Sequence, residues 1–133
     1  MRRAAAIFLC VLAALAAGMM VAAGVHAADS PGALSHRAWL WDFAVSAALV
    51  YMLAPLAVLG GLLASRRKVS TGICVGVTLG WFALVFVAWM AAASIAEGAF
   101  PQWGWRHYGI DMLPIPLVTG LVFSMAARAA RPR

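Results

Sequence analysis

Two short stretches carry most of the side chains that could bind a ligand. One is HRAWLWD at residues 36–42, and the other is WGWRHYGID at residues 103–111. Trp and Tyr combine an apolar body with a polar group, so they concentrate at the headgroup level of membranes and, with Arg, anchor protein interfaces. The two stretches therefore predict either a belt at a membrane surface or a contact with a partner protein. The residues concerned are Trp39, Trp41, Trp103, Trp105, Arg106 and Tyr108.

The same stretches hold two His residues that could ligate a metal ion or a haem. His together with Asp suits zinc or copper, and the two candidates are His36 and His107. They stand alone, without the close spacing of a metal motif, so we expect no metal and no cofactor. The sequence also shows no nucleophile–base pair, glycine-rich phosphate loop or H-E-x-x-H motif, and we therefore expect a protein that is not an enzyme.

Long apolar runs position these stretches. The chain has 133 residues, of which 65% are hydrophobic and 11% are charged, whereas a soluble domain has about 45–50% apolar and about 25% charged residues. Four apolar runs cover residues 4–25, 43–64, 72–96 and 110–127. Each is long enough to cross about 30 Å of hydrocarbon as a helix, the form that pairs all backbone groups within lipid. The predicted fold is a single all-α membrane domain, a bundle of four transmembrane helices.

The first run has a second interpretation. The first 30 residues resemble a signal peptide. They begin with the basic segment MRR, continue with an apolar stretch, and end with VHA before ADS, where small residues would form the cleavage site. The apolar stretch is longer than the usual 7–15 residues of a signal sequence, which favours a retained helix. The alternative is a cleaved signal peptide followed by three transmembrane helices.

The charges predict an orientation. Most Lys and Arg residues fall on one side of the runs, and all four acids fall on the other with Arg37 and Arg106. By the positive-inside rule, the basic side is cytoplasmic, and so is the C-terminus. The abundance of Arg and Ala suggests a high-GC bacterium and hence its inner membrane. Because the basic residues cluster at the ends of apolar runs, we expect a lipid bilayer as partner and no nucleic acid. The basic side comprises Arg2, Arg3, Arg66, Arg67, Lys68, Arg128, Arg131 and Arg133.

A stripe of small residues in the third run predicts close helix packing. Gly72, Gly76 and Gly80 recur every four residues, and Ala83 continues the stripe. Small residues let helix backbones approach within lipid and gain dispersion contacts. The partner is either another helix of this chain or a second protein. A weaker stripe in the first run would place that helix against the third, and it consists of Cys10, Ala14, Gly18 and Ala22.

Prolines mark irregular backbone in the second and fourth runs. Pro55 cannot donate to the carbonyl of Tyr51, so we expect a kink there and another donor for that carbonyl. In the fourth run, Asp111 is expected to cap the helix, with Pro114 and Pro116 in or near its first turn.

Three functional hypotheses follow. The first is a small non-catalytic inner-membrane protein that acts by helix packing, as an accessory subunit or a homo-oligomer. The second is a small oligomeric transporter or channel. Proton-coupled carriers usually keep an ionisable group within the membrane, and the four runs have none near their centres. The third is a periplasm-facing protein that binds a metal or haem through His36 and His107.

Overall fold

The described chain is all-α and contains four helices. The computed structural model describes residues 2–29, 37–98 and 105–131, apart from the side chains of Trp105, His107 and Tyr108. Three helices are long and apolar enough to cross a membrane, and the fourth has 16 residues and is shorter. The all-α class and the four helices predicted from the sequence are confirmed. The helices are α1, Arg2–Asp29; α2, Arg37–Ala64; α3, Thr71–Glu97; and α4, Pro114–Ala129.

Helix α4 begins later than the apolar run predicts, and proline is the reason. Residues Trp105–Ile110 form a π-helical turn, and residues 111–113 form a hydrogen-bonded turn. The regular helix starts with Pro114 in its first turn, where a missing N–H costs least. This placement of Pro114 is as predicted. The predicted cap at Asp111 is wrong, because Leu113 precedes the helix and offers no side-chain hydrogen bond.

The ends of α2 and α3 show ordinary capping. At the end of α2, Arg66 has a φ of 59°, and the N–H of Arg67 bonds to the carbonyl of Leu62. This is the left-handed turn that often ends a helix, here without the usual glycine. Helix α3 starts at Ser70, whose hydroxyl accepts a hydrogen bond from the N–H of Ile73 at 3.2 Å. It ends at Gly98, which has a φ of 72°.

The four helices form a closed antiparallel ring. Each packs against its neighbour in sequence, and α1 closes the ring against α4. Contacts between helix ends fix the directions. Arg3 at the start of α1 bonds to Leu63 near the end of α2, and Thr71 at the start of α3 bonds to Ser124 late in α4.

The bulky part of the core comes from α2 and α4. Met52, Leu56 and Leu59 of α2 are fully buried, as are Ile115 and Phe123 of α4. Helix α1 contributes mainly small side chains to this core, so it can lie close to its neighbours. Within a bilayer such packing stabilises the bundle through dispersion contacts, since lipid tails are as apolar as the side chains.

The ring separates the charges between two ends. The basic end holds the start of α1, the α2–α3 connection and the end of α4. The other end, here the acidic end, holds the end of α1, the start of α2 and the α3–α4 connection. Its acids are Asp29, Asp42, Glu97 and Asp111, and the described residues of the basic end are Arg2, Arg3, Arg66, Arg67, Lys68, Arg128 and Arg131.

Candidate functional site

Helix α3 has one face inside the bundle and another outside it. Cys74, Thr78 and Phe82 are buried at spacings of four residues. The predicted stripe of small residues lies on the outside. We name this stripe the glycine face, and it consists of Gly72, Gly76, Gly80 and Ala83, all exposed.

No described helix of the chain covers the glycine face. A Cβ atom added at Gly76 or Gly80 would meet no atom within 4 Å. One added at Gly72 would meet only the Oγ atom of Ser70, at 3.8 Å. Val87, which is 62% exposed, continues the same side of the helix one turn beyond Ala83. Of the two partners that the sequence leaves open, a described helix of this chain is not in contact with the glycine face, and contact with a second protein stays a prediction.

The close approach inside the bundle occurs at a glycine that the sequence analysis missed. A Cβ atom on Gly120 of α4 would lie 2.7 Å from Thr78 Oγ1, 2.9 Å from Val75 Cα and 3.1 Å from the Cys74 carbonyl oxygen. Two of these atoms belong to the backbone of α3 and cannot move aside. The sequence contains a pattern that indicates this contact, because Pro116, Gly120 and Ser124 recur every four residues and therefore share one helix face. The structure shows that all three are buried.

The weaker stripe on α1 is the face that packs within the bundle. Cys10, Ala14, Gly18 and Ala22 are all buried. A Cβ atom on Gly18 would lie 2.5 Å from Thr119 Oγ1 and 2.6 Å from Met52 Sδ. The expected contact with the third run is therefore replaced by contacts with α4 and α2. A sequence repeat every four residues shows which residues share a face, but it does not show which neighbour they meet.

Hydroxyl groups inside the bundle bond locally. Thr78 donates to the carbonyls of Cys74 and Val75 at 3.2 and 3.0 Å, and Thr119 donates to the carbonyl of Ile115 at 2.7 Å. Thr71 and Ser124 share a hydrogen bond of 2.7 Å between α3 and α4, and Arg128 donates to Thr71. Over the described residues, every buried side-chain nitrogen or oxygen has a partner. These hydroxyl groups join helices or bond to backbone carbonyls, so their role is structural.

A π-helical turn, which is wider than an α-helical turn, precedes the proline of α2. Residues Ala48–Met52 form a π-helical turn, in which the N–H of Leu53 bonds to the carbonyl of Ala48 five residues earlier. Pro55 follows this turn and has no N–H to give. Trp81 Nε1 of α3 donates to the carbonyl of Val50, within the turn, at 2.7 Å. The freed carbonyl expected at Tyr51 stays a prediction, and the indole hydrogen bond lies at the residue before it.

The aromatic residues near the acidic end are described only in part. Trp39 and Trp41 are exposed near the start of α2, and Arg106 is exposed in the π-helical turn before α4. Trp103 lies outside the described residues, as do the side chains of Trp105 and Tyr108. Their roles in a surface belt or a partner contact remain predictions.

The structure does not describe the side chains of the two His candidates for a metal site. His36 is outside the described residues, and so is the side chain of His107. Among the described parts of the chain, no group of three His, Cys, Asp or Glu side chains could hold a metal ion. The third His, His26, stacks on the ring of Phe43 with centroids 4.5 Å apart and joins α1 to α2.

No protein-family model, curated protein or solved structure matches the chain. Its function has to be inferred from how its helices pack and what they leave uncovered.

Proposed function

We propose that this chain is a small non-catalytic protein of a bacterial inner membrane that acts by helix packing. It works as an accessory subunit of a membrane complex or as a homo-oligomer. The observation that supports this is the uncovered glycine face of α3, on a helix long enough to cross the bilayer. Within lipid, small residues at a helix surface promote association because they let a second backbone approach.

Contacts with the described helices do not require glycine at positions 76 and 80. Gly18 and Gly120 lie where added atoms would collide with neighbouring helices, but Gly76 and Gly80 lie in open space. A glycine inside a helix is less stable than alanine by roughly 0.5–1 kcal/mol. Two such residues in one exposed row therefore weaken α3 without any gain in the isolated chain. A partner helix seated on the glycine face offsets this cost through close contacts.

The proposed orientation has all four helices across the membrane and both termini in the cytoplasm. The basic end is then cytoplasmic, as the positive-inside rule requires. Helix α4 rises only about 24 Å over its length, less than the hydrocarbon thickness of about 30 Å. The turns at residues 105–113 extend its path toward the outer surface. The exposed Trp39 and Trp41 then lie at headgroup depth on that side.

Replacing Gly76 by Leu tests the proposal, with Gly61→Leu as the matched control. Both glycines are exposed, and neither has an atom within 4 Å of an added Cβ. Gly61 lies on α2 and is not part of the glycine face. We expect Gly76→Leu to weaken association by about three- to thirtyfold, since measured contacts between membrane helices contribute about 0.6–2 kcal/mol each. Gly61→Leu should leave association unchanged.

The measurements are energy transfer between two labelled populations in liposomes and affinity purification from membranes in mild detergent. Energy transfer detects self-association, and purification detects a different subunit. Equal effects of the two substitutions on both measurements would contradict the role of the glycine face. If the purified chain alone moved protons or cations across liposomes, the transporter or channel hypothesis would replace this proposal.

A further inference from the structure

A cleft of about 460 Å³ opens at the basic end of the bundle. It lies between the start of α1 and the ends of α2 and α4. Arg2, Arg3 and Arg131 contribute to its lining, and apolar side chains such as Ile7 and Leu63 form much of the rest. The cleft therefore combines a cationic region with an apolar one.

The guanidinium of Arg3 is held in place at this cleft. Its Nη2 atom donates to the carbonyl oxygen of Leu63 at 2.6 Å, and this bond joins α1 to α2. A guanidinium has five N–H donors, and this bond uses one of them. The remaining donors form the planar fork that binds phosphate oxygens in pairs.

Among the described residues, no Asp or Glu belongs to the basic end, because all four acids of the chain belong to the acidic end. The three arginines of the lining therefore attract an anion at the level of the headgroups.

We propose that this cleft binds one phospholipid with an anionic headgroup. The phosphate is bound by Arg2, Arg3 and Arg131, and one acyl chain follows the apolar lining past Ile7 toward Cys10. From Arg3 to Cys10, α1 rises about 10 Å, a depth that takes several methylene groups. A free phosphate would satisfy the arginines but leave the apolar lining unused. The proposal depends on the bundle residing in a membrane and not on the glycine face.

The test compares lipid binding by the full chain and by variants of its arginines. The double variant Arg3→Gln/Arg131→Gln removes two charges from the cleft and keeps a polar side chain with N–H donors at both positions. Arg67→Gln is the matched control, because Arg67 is exposed at the same end but does not line the cleft. The measurement is thermal stability in detergent during titration with phosphatidylglycerol, phosphatidylcholine or inorganic phosphate.

We expect phosphatidylglycerol to stabilise the wild-type chain and phosphatidylcholine to have little effect. The double variant should bind phosphatidylglycerol roughly tenfold or more weakly, and Arg67→Gln should bind it normally. A third variant, Ala6→Phe, narrows the apolar part of the cleft without changing charge and should also lose the lipid. Equal loss in Arg67→Gln, or equal stabilisation by both lipids, would overturn the site. Stabilisation by inorganic phosphate as large as that by the lipid would show an anion site and overturn the lipid assignment.

Discussion

A single indole group bonds to the backbone of α2 close to its proline. Pro55 lacks an N–H, and the π-helical turn before it contains the carbonyl of Val50. Trp81 Nε1 of α3 donates a hydrogen bond to this carbonyl at 2.7 Å. An unpaired carbonyl is costly in lipid, where no water replaces the lost donor. The bond therefore joins α2 and α3 at a fixed position along both helices.

Trp81→Phe removes this donor and keeps most of the ring. We expect it to destabilise the bundle by about 1 kcal/mol, the usual net value of one such hydrogen bond. In a chain that also carries Pro55→Ala, the backbone regains an N–H, so the same change should cost clearly less. Unfolding titrations of the four proteins in mixed detergents give the coupling free energy. Additive effects would show that the indole hydrogen bond does not replace the donor that Pro55 lacks.

At the scale of helices, the bundle depends on small residues at two crossings. Gly120 lets α4 approach the backbone of α3, and Gly18 lets α1 approach α4 and α2. The obstacles differ between the two sites. Gly120 is opposed by backbone atoms, whereas Gly18 is opposed by the side chains of Thr119 and Met52. A methionine side chain adapts to new neighbours more easily than a helix backbone does.

This difference predicts an order of stability among three alanine substitutions. Gly120→Ala forces α3 and α4 apart and should destabilise the chain by about 1–3 kcal/mol, the usual cost of overpacking. Gly18→Ala should cost less, because its obstacles are side chains: Met52 can change its rotamer, and Thr119 can turn its hydroxyl away from position 18 if it gives up its bond to Ile115. Gly76→Ala meets open space and should stabilise the isolated chain slightly, by up to about 1 kcal/mol. Thermal unfolding of the chain in detergent measures all three, and a destabilising Gly76→Ala would contradict the placement of the glycine face.

The sequence predicted the helices well and their contacts poorly. Run length and hydrophobicity identify the four helices, because helix is the structure that satisfies the backbone in lipid. Spacing identifies faces, but α3 has small or apolar residues on both sides. Gly76 belongs to one face and Thr78 to the other, and nothing in the spacing shows which turns inward. The partner of each face depends on how the ring closes, which requires the structure.

At the scale of the molecule, folding places residues from distant parts of the sequence together at the basic end. Arg3 contacts Leu63, and Arg128 contacts Thr71. The positions of these charges along the sequence alone predict that they lie on one side of the membrane. The antiparallel ring brings the same charges to one end of the bundle, so the orientation proposed from the charge distribution is compatible with the fold.

The role of α1 gives the last prediction, which is that this helix is retained in the mature protein. The alternative is cleavage before Ala28, but residues 25–28 belong to α1, which continues to Asp29. His26 stacks on Phe43, so the end of α1 is packed against α2. Loss of α1 would also uncover Thr119 and Met52, which lie against Gly18.

We expect the intact mass of protein purified from membranes to match the full chain. Reporter fusions after Arg67 and Arg133 should both be cytoplasmic. A chain that starts at Ala28 would refute retention, even with unchanged reporters, and a periplasmic signal at either fusion would refute the orientation.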